Sequence, residues 1–382
     1  MYTREQTKIV KIGVVAIGGG NPIAIQSMTT TDTADVSATI SQIQALTEVG
    51  CEIVRVAVLN TAAAAAIKPI KQAVKIPVVA DIHFDYRLVM QAIANGADKI
   101  RINPGNIGDK SRVMEVVKAA KNNGIPIRIG VNGGSLEKDL LAKHGGVTAA
   151  GICESALRHI QILEDCQFDN IVLALKCSDV PLTIAAYKLI CEKVQYPLHV
   201  GITEAGSPYR GTIKSAVGIG ALLAMGIGDT LRVSLTGDPL QEIKVAKEIL
   251  QAIGLRKFHP EIISCPTCGR CDVNLPKYVQ QVEDFCDTIK TPISVAVMGC
   301  VVNGPGEARA ADFGIAFAGR LAKSTENEEN EVDKINKISE ISEKKGAIFQ
   351  KGQIIKTANE NILVDELIKI IGGEMAEVAE PK

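Results

Sequence analysis

The chain has 382 residues, 34 of them Gly and 15 Pro, and 46% are hydrophobic; this length predicts about two domains, one of which can be a barrel. With 42 Lys+Arg against 43 Asp+Glu and 3% aromatic residues without Trp, it lacks the basic surplus that a nucleic-acid binder turns on phosphates and the platforms that stack bases. The formal net charge of −1 also excludes a disordered polyelectrolyte. The N-terminal MYTREQTKIVKIG has no secretory apolar region. The most apolar segment, near 218–228, is much shorter than the roughly 20 residues of a spanning helix. A cytoplasmic protein with no membrane or nucleic-acid partner is expected, with its ten Cys as thiols or metal ligands rather than disulfides.

From about residue 23 to 240, β-branched runs alternate with helical patterns. The runs are PIAIQSM, CEIVRVAV, IPVVADI, ADKIRIN, IPIRIGV, NIVLALK, PLHVGIT and TLRVSLT, eight in all. Helical spacing is seen at 36–49, 61–73, 86–95 and 110–122. Continuous apolar strands alternating with helices predict a parallel sheet covered on its faces. Eight such units in this length predict a closed (β/α)8 TIM barrel. An open doubly wound sheet is the alternative, but no Gly-x-Gly-x-x-Gly follows the first strand; Gly18, Gly19 and Gly20 precede it and predict a turn. After Gly254 the pattern changes to a Cys-rich stretch from Ser264, a helix at 275–289, the strand PISVAVMG and the Gly-rich CVVNGPGEARAADFGIAFAG. The charged segment 323–345 is expected to be an exposed loop or helix without chemistry. A strand-like AIFQKGQIIK and a helix at 364–371 complete a small α+β module. The expected division is a barrel over 1–256 and this module over 257–382.

Five of the eight strands carry a cation near their C-terminal ends: Arg55, Arg101, Arg128, Lys176 and Arg232. Strand alternation aims all five at the barrel lumen, close to the catalytic face. Charges there are costly to bury unpaired, and the obvious carboxylates at this level are only Asp81 and Glu204. The surplus calls for an anion from outside, a small phosphate or diphosphate ester that Arg can bind bidentately. The plain alternative is that each Arg snorkels at a strand end or pairs locally. Gln26, Ser27, Asn103, Asn132 and Ser234 add neutral groups at the same level. His83 and His199 also end strands, where a single His is more often structural. Glu204 is the better candidate proton donor, since burial beside substrate would raise its pKa.

In the second module CPTCGRC sets Cys265, Cys268 and Cys271 in a C-x2-C-x2-C run. A ferredoxin-type run would continue with x3-C-P; here Leu275 and Pro276 occupy those places, so a fourth ligand must come from elsewhere, and Cys300 is the leading candidate. By spacing alone, a zinc knuckle on the four thiolates and an iron–sulfur site are equally open. Glu307, seven residues beyond Cys300 across Asn-Gly-Pro-Gly, tips the balance, because a hard, exchangeable carboxylate suits iron that must yield a position to substrate; alternatively it opens a helix, where its charge favours the N-terminal dipole. Cys51, Cys153, Cys166, Cys177, Cys191 and Cys286 are expected to be buried thiols.

The stretches PIAIQSMTTTDTADV, VADIHFD, KIRINPGN, PLHVGITEAG, SCPTCGR and MGCVVNGPGEARAADFGIA together resemble the bacterial two-domain 4-hydroxy-3-methylbut-2-enyl diphosphate synthase family of the methylerythritol phosphate route to isoprenoids. The resemblance spans both domains and nearly the whole chain apart from 323–345. It implies a pterin-synthase-like barrel, a second domain resembling a sulfite-reductase module, and a [4Fe-4S] cluster on Cys265, Cys268, Cys300 and Glu307. It implies 2-C-methyl-D-erythritol 2,4-cyclodiphosphate as substrate, held by Arg55, Arg101, Arg128, Lys176 and Arg232 with Asn103, Asn132 and Ser234, opened after it displaces Glu307. Electrons would come from flavodoxin or ferredoxin, Glu204 would supply a proton, and a head-to-tail homodimer is implied. Cys271 departs from the family pattern and is expected to be an innocent thiol.

Overall fold

The computed structural model describes residues 3–103, 107, 110–271, 273–289, 291–300, 306, 310–317 and 345–379. It comprises two compact units, Met1–Arg256 and Lys257–Lys382.

In the first unit the eight β-branched runs form eight parallel strands: β3 (Ala24–Met28), β4 (Ile53–Ala57), β5 (Val78–Asp81), β6 (Lys99–Ile102), β7 (Ile127–Asn132), β8 (Ile171–Lys176), β9 (His199–Val200) and β10 (Thr230–Leu231). Their order is β8-β7-β6-β5-β4-β3-β10-β9, and a parallel bridge from Leu173 to Leu198 joins the two ends, so the sheet closes as a barrel. Between the strands run α1 (Val36–Glu48), α2 (Thr61–Ala73), α3 (Tyr86–Ala94), α4 (Lys110–Asn122), α5 (Lys138–His144), α6 (Ala149–Asp165), α7 (Val180–Cys191), α8 (Pro208–Ala224) and α9 (Pro239–Ala252). Many begin where an Asp, Asn or Thr side chain accepts a backbone N–H of the first turn: Asp35, Asn60, Asp85, Thr148, Asp179 and Asp238. Among the described residues no helix is long and apolar enough to cross a membrane.

Sequence periodicity does not signal the N-terminal hairpin of β1 (Val10–Ile12) and β2 (Val15–Ile17), whose strands of three residues are too short to show alternation. Its Val10, Ile12 and Ile17 are buried against Ala24, Ile53, Val79 and Val172 from the first residues of the barrel strands. The hairpin therefore closes the N-terminal end with apolar side chains. The turn expected at the three glycines follows it: Gly18, Gly19 and Gly20 have φ of +78°, +58° and +78°, and a Cβ on Gly18 would stand 2.2 Å from the Lys8 carbonyl oxygen.

The second unit is built on a five-stranded sheet, β11 (Glu261–Ser264), β12 (Ser294–Met298), β13 (Phe313–Phe317), β14 (Lys345–Gln350) and β15 (Gln353–Asn359), in that order. The first three strands are parallel and the last two antiparallel. The single strand expected at AIFQKGQIIK is a hairpin, because Lys351 and Gly352 both take left-handed φ, +47° and +81°. The helices α10 (Leu275–Cys286) and α11 (Glu360–Ala379) cover one face through Tyr278, Val282, Leu363 and Leu367 against Val295, Ile315 and Phe317. The opposite face buries Ala296, Met298, Ala316, Ala347 and Phe349, with Cys265 packed beside them. Lys345 opens β14; the rest of the charged segment 323–345 lies outside the described residues.

Asp229, just before β10, ties the N-terminal segment to the barrel. Its carboxylate accepts the Leu198 N–H at 2.8 Å and the Thr7 hydroxyl at 3.1 Å. Burial outweighs these bonds and pushes the carboxyl up to about 6 from its ordinary 3.8. The folded state thus holds this proton more tightly than the unfolded chain. The stability it contributes is complete below about pH 4 and lost as pH rises through 6. Asp229→Asn, which cannot ionise, is expected to gain on the wild type between about pH 4 and pH 7 by an amount on the order of 3 kcal/mol. Denaturant unfolding of both proteins across that range checks this; a pH-independent difference would refute it.

Candidate functional site

The five strand-end cations are brought together. Arg55, Arg101, Arg128, Lys176 and Arg232 line one cavity of about 230 Å³ at the C-terminal ends of the strands, with Asn132, Ser234, Asp81, His83, Gly130, Ala174 and Thr203. Alternation places them there: in register, Arg101 of β6 stands beside Arg128 of β7, and Asn132 beside Lys176. Space for their side chains comes from two glycines. A Cβ on Gly130 would lie 2.8 Å from Arg101 Nε, and one on Gly201 would lie 2.5 Å from the Arg232 carbonyl oxygen and 2.8 Å from Lys176 Nζ.

Below the ring, Lys99 is fully buried two residues before Arg101, its Nζ donating to Gln26 Oε1 at 3.3 Å. The alternation that locates the ring also locates Lys99, which the strand-end criterion passes over. Among the described residues, five cations line this cavity, Lys99 lies beneath them, and two carboxylates, Asp81 and Glu242, stand within 3.5 Å of ring cations. Asp81 takes Arg101 Nη1 at 3.0 Å and Arg55 Nε at 3.5 Å, while Glu242 of α9 lies 3.5 Å from Arg232 Nε. Glu242 could have been found as a carboxylate on the apolar face of an amphipathic helix, among Pro239, Ile243 and Ala246. Arg55 Nε and Nη2 also donate to Met28 Sδ, at 3.1 and 2.8 Å.

Burial raises Asp81, but the pull of Arg55, Arg101 and Arg128 wins and holds its carboxyl below the ordinary value. Burial, then the neighbouring cations, pushes the Lys99 and Lys176 ammonium groups well below theirs. The same effects act on Arg128, which is 2% exposed with Nε and Nη1 lacking any hydrogen-bond partner. A guanidinium does not give up its proton at working pH. Arg128 is therefore a buried charge whose donors are free for an oxyanion.

The remaining candidates are spread out. Asn103 is half-buried and does not line the cavity. Gln26 and Ser27 lie deeper, Ser27 donating to Glu242 at 3.1 Å. His199 is wholly buried, bonded through Nδ1 to the Thr230 hydroxyl at 2.6 Å and kept neutral by burial and the cations around it. His83 stays at the cavity, its Nε2 against Arg101 and 3.9 Å from Asp81. Glu204 is exposed rather than buried, because the chain takes a left-handed turn there, φ +53°. It lines a neighbouring cavity of about 500 Å³ that shares Asn132 and Thr203 with the ring.

In the second unit Cys265 follows β11 and Cys300 follows β12 by two residues, at the same ends of adjacent parallel strands. The Gly299 N–H donates to Cys265 Sγ at 3.3 Å, and a Cβ on Gly299 would lie 2.7 Å from Cys271 Sγ. Two of the four sulfurs of the motif, those of Cys265 and Cys271, therefore lie against residue 299, next in sequence to Cys300. Cys268 is exposed, in a turn closed by the Cys271 N–H on its carbonyl at 2.9 Å. The Arg270 backbone N–H, with the Arg270 charge, lowers its thiol below the ordinary value. Glu307 lies outside the described residues. Among those described, no three His, Cys, Asp or Glu side chains form a ready group for a metal ion. The donor chemistry is nonetheless that of a thiolate-bound centre: free soft sulfurs, one already receiving an N–H. Of the six thiols expected to be buried, Cys51, Cys153, Cys177 and Cys286 are; Cys166 and Cys191 are half-exposed because they end α6 and α7.

Comparison with known proteins matches residues 7–247 to the GcpE TIM-barrel domain and residues 261–343 to the GcpE protein C-terminal domain. Proteins named 4-hydroxy-3-methylbut-2-en-1-yl diphosphate synthase (flavodoxin) are similar over nearly the whole length. That of Caldanaerobacter subterraneus is 55% identical over 96% of this chain and 97% of its own, and that of Clostridium perfringens 54% identical over 96% and 99%. With both domain families matched in order, the chain belongs to the GcpE family.

Proposed function

We propose that the protein is a cytoplasmic 4-hydroxy-3-methylbut-2-enyl diphosphate synthase, acting on 2-C-methyl-D-erythritol 2,4-cyclodiphosphate. The ring is opened at the expense of two electrons and two protons, and one water is released. The observation that carries this reading is the cation excess at the barrel mouth, where among the described residues four arginines and Lys176 share one cavity with a single carboxylate, Asp81, an excess that a cyclic diphosphate would balance. The flavodoxin in the names of the relatives supports flavodoxin, rather than ferredoxin, as electron donor. The proposal includes assembly as a homodimer.

Barrel residues would do the binding. Arg55, Arg101, Arg128, Lys176 and Arg232 would take the two phosphates, with Asn132 and Ser234 of the same lining, and Asn103 at its edge, completing the hydrogen bonds. The two unpartnered donors of Arg128, like the single ones of Arg101 and Arg232, would exchange no existing bond for the new one. Glu204, on the rim formed by Asn132 and Thr203, would deliver a proton to the departing oxygen. In the second unit Cys265, Cys268, Cys300 and Glu307 would hold a [4Fe-4S] cluster, which when bound supplies the electrons one at a time.

The direct test is an anaerobic assay of iron-loaded protein with the cyclic diphosphate and reduced flavodoxin, product read by phosphorus resonance; no turnover by protein carrying a full cluster would refute the proposal. Arg128→Ala is expected to weaken cyclic diphosphate binding by about a hundredfold, the loss of a charged, bidentate contact, with cluster content unchanged. Calorimetry alongside iron analysis checks this, and unaltered affinity removes Arg128 from the site.

Lys176 and Lys99 give a pH signature. Burial among cations favours their neutral amines, whereas a bound dianion favours the ammonium forms. Binding is therefore expected to take up protons wherever the free amines are partly neutral, and affinity to fall as pH rises through that range. Titrations in buffers of different ionisation enthalpy measure this; proton release on binding would contradict it.

Cys265→Ser is expected to lose most of the iron and the absorption shoulder near ~400 nm, whereas Cys271→Ser keeps both. Equal loss from the two variants would make Cys271 a ligand.

A further inference from the structure

Glu242 occupies a place that α9 otherwise gives to apolar side chains, and its carboxylate is 4% exposed. Its two oxygens serve three partners. Oε1 accepts the Leu235 N–H at 3.0 Å; Oε2 accepts the Ser27 hydroxyl at 3.1 Å and lies 3.5 Å from Arg232 Nε. Leu235 follows Ser234 of the cavity lining, and Ser27 precedes Met28, whose sulfur receives Arg55 and lies 3.9 Å from Arg232 Nη1. One carboxylate thus ties the end of β3 and the turn after β10 to a helix outside the barrel by hydrogen bonds, and attracts a ring cation whose Nε has no hydrogen-bond partner.

By charge alone Glu242 is misplaced, since a carboxylate beside an anion site repels the anion. Geometry gives it a use. Arg232 and Arg55 flank the same sulfur and repel each other, and Arg232 has rotamer freedom to lose before it can meet a ligand. We infer that Glu242 is a positioning residue of the diphosphate site, holding Arg232 and the turn at Ser234–Leu235 in the orientation that receives the anion. The inference rests on the anion-binding reading of the cation ring.

Glu242→Gln keeps the size of the side chain and an oxygen for the Leu235 N–H, but removes the attraction on Arg232. Calorimetric titration of the cyclic diphosphate into the anaerobic, iron-loaded protein is expected to show binding weakened by about tenfold. In turnover, the loss should fall on KM rather than kcat. A carboxylate that merely stood nearby would give the opposite sign, because deleting a negative charge favours an anion. Equal or tighter binding by Glu242→Gln overturns the inference. In an Arg232→Ala background Glu242→Gln is expected to add less than about twofold, and full additivity overturns the inference as well. Should Glu242→Gln fail to fold, Ser27→Ala removes the other anchor of Oε2 and is expected to weaken binding in the same direction; unchanged affinity there is equally adverse. Failure of the underlying reading looks different: Arg128→Ala then binds the cyclic diphosphate like the wild type, whereas a loss confined to Arg128→Ala overturns the role of Glu242 alone.

Discussion

Like charge held at close range inside the barrel is the constraint to which the first unit conforms. Arg55, Lys99, Arg101, Arg128, Lys176 and Arg232 cannot be hydrated as they would be at a surface, and Asp81 with Glu242 neutralise only part of them. A fold that did not need an anion would be more stable with apolar residues at these positions. The chain nevertheless keeps the cations and leaves two Arg128 donors without a partner, which is the arrangement the proposed anion site needs before its ligand arrives.

The rest of the barrel can be understood as the means of tolerating this. Its N-terminal end is dry, sealed by Val10, Ile12 and Ile17, so the polar layer rests on a packed floor. The lysines can relieve the repulsion by releasing protons, which arginines cannot, and this separates the adaptable members of the ring from its fixed ones. Gly130 and Gly201 leave the volume the long side chains need. Met28 offers Arg55 a soft acceptor that leaves the positive charge of the ring undiminished, as another carboxylate would not.

Most of this was legible in the sequence, for identifiable reasons. Eight apolar runs alternating with helices leave few topologies, and strand period then fixes which face Arg55, Arg101, Arg128, Lys176 and Arg232 share. What escaped depends on contacts between segments far apart. Glu242 acts on Ser27, distant in sequence, and nothing local marks the pair except a charge on an apolar helix face. The N-terminal hairpin is too short to show a period, and the last hairpin turns on a left-handed Lys351 that no turn propensity favours. Glu204, expected to be buried, is exposed at a left-handed backbone position in the lining of the neighbouring cavity.

The second unit solves a related problem with a different chemistry. Cys265 and Cys300 are remote in sequence, yet β11 and β12 lie parallel and in register from Glu261 with Ser294 to Ser264 with Val297. A parallel pair delivers the residues beyond its C-terminal ends to one edge, where backbone N–H groups are no longer spent on the ladder. The Gly299 N–H is such a group, and it is turned on Cys265 Sγ. Glycine at 299 leaves room that a side chain would take, for a Cβ there would stand 2.7 Å from Cys271 Sγ and force one of them to shift. The nearness of Cys271 to residue 299 thus accompanies the close packing of the chain beside Cys265, and by itself assigns Cys271 no ligand role.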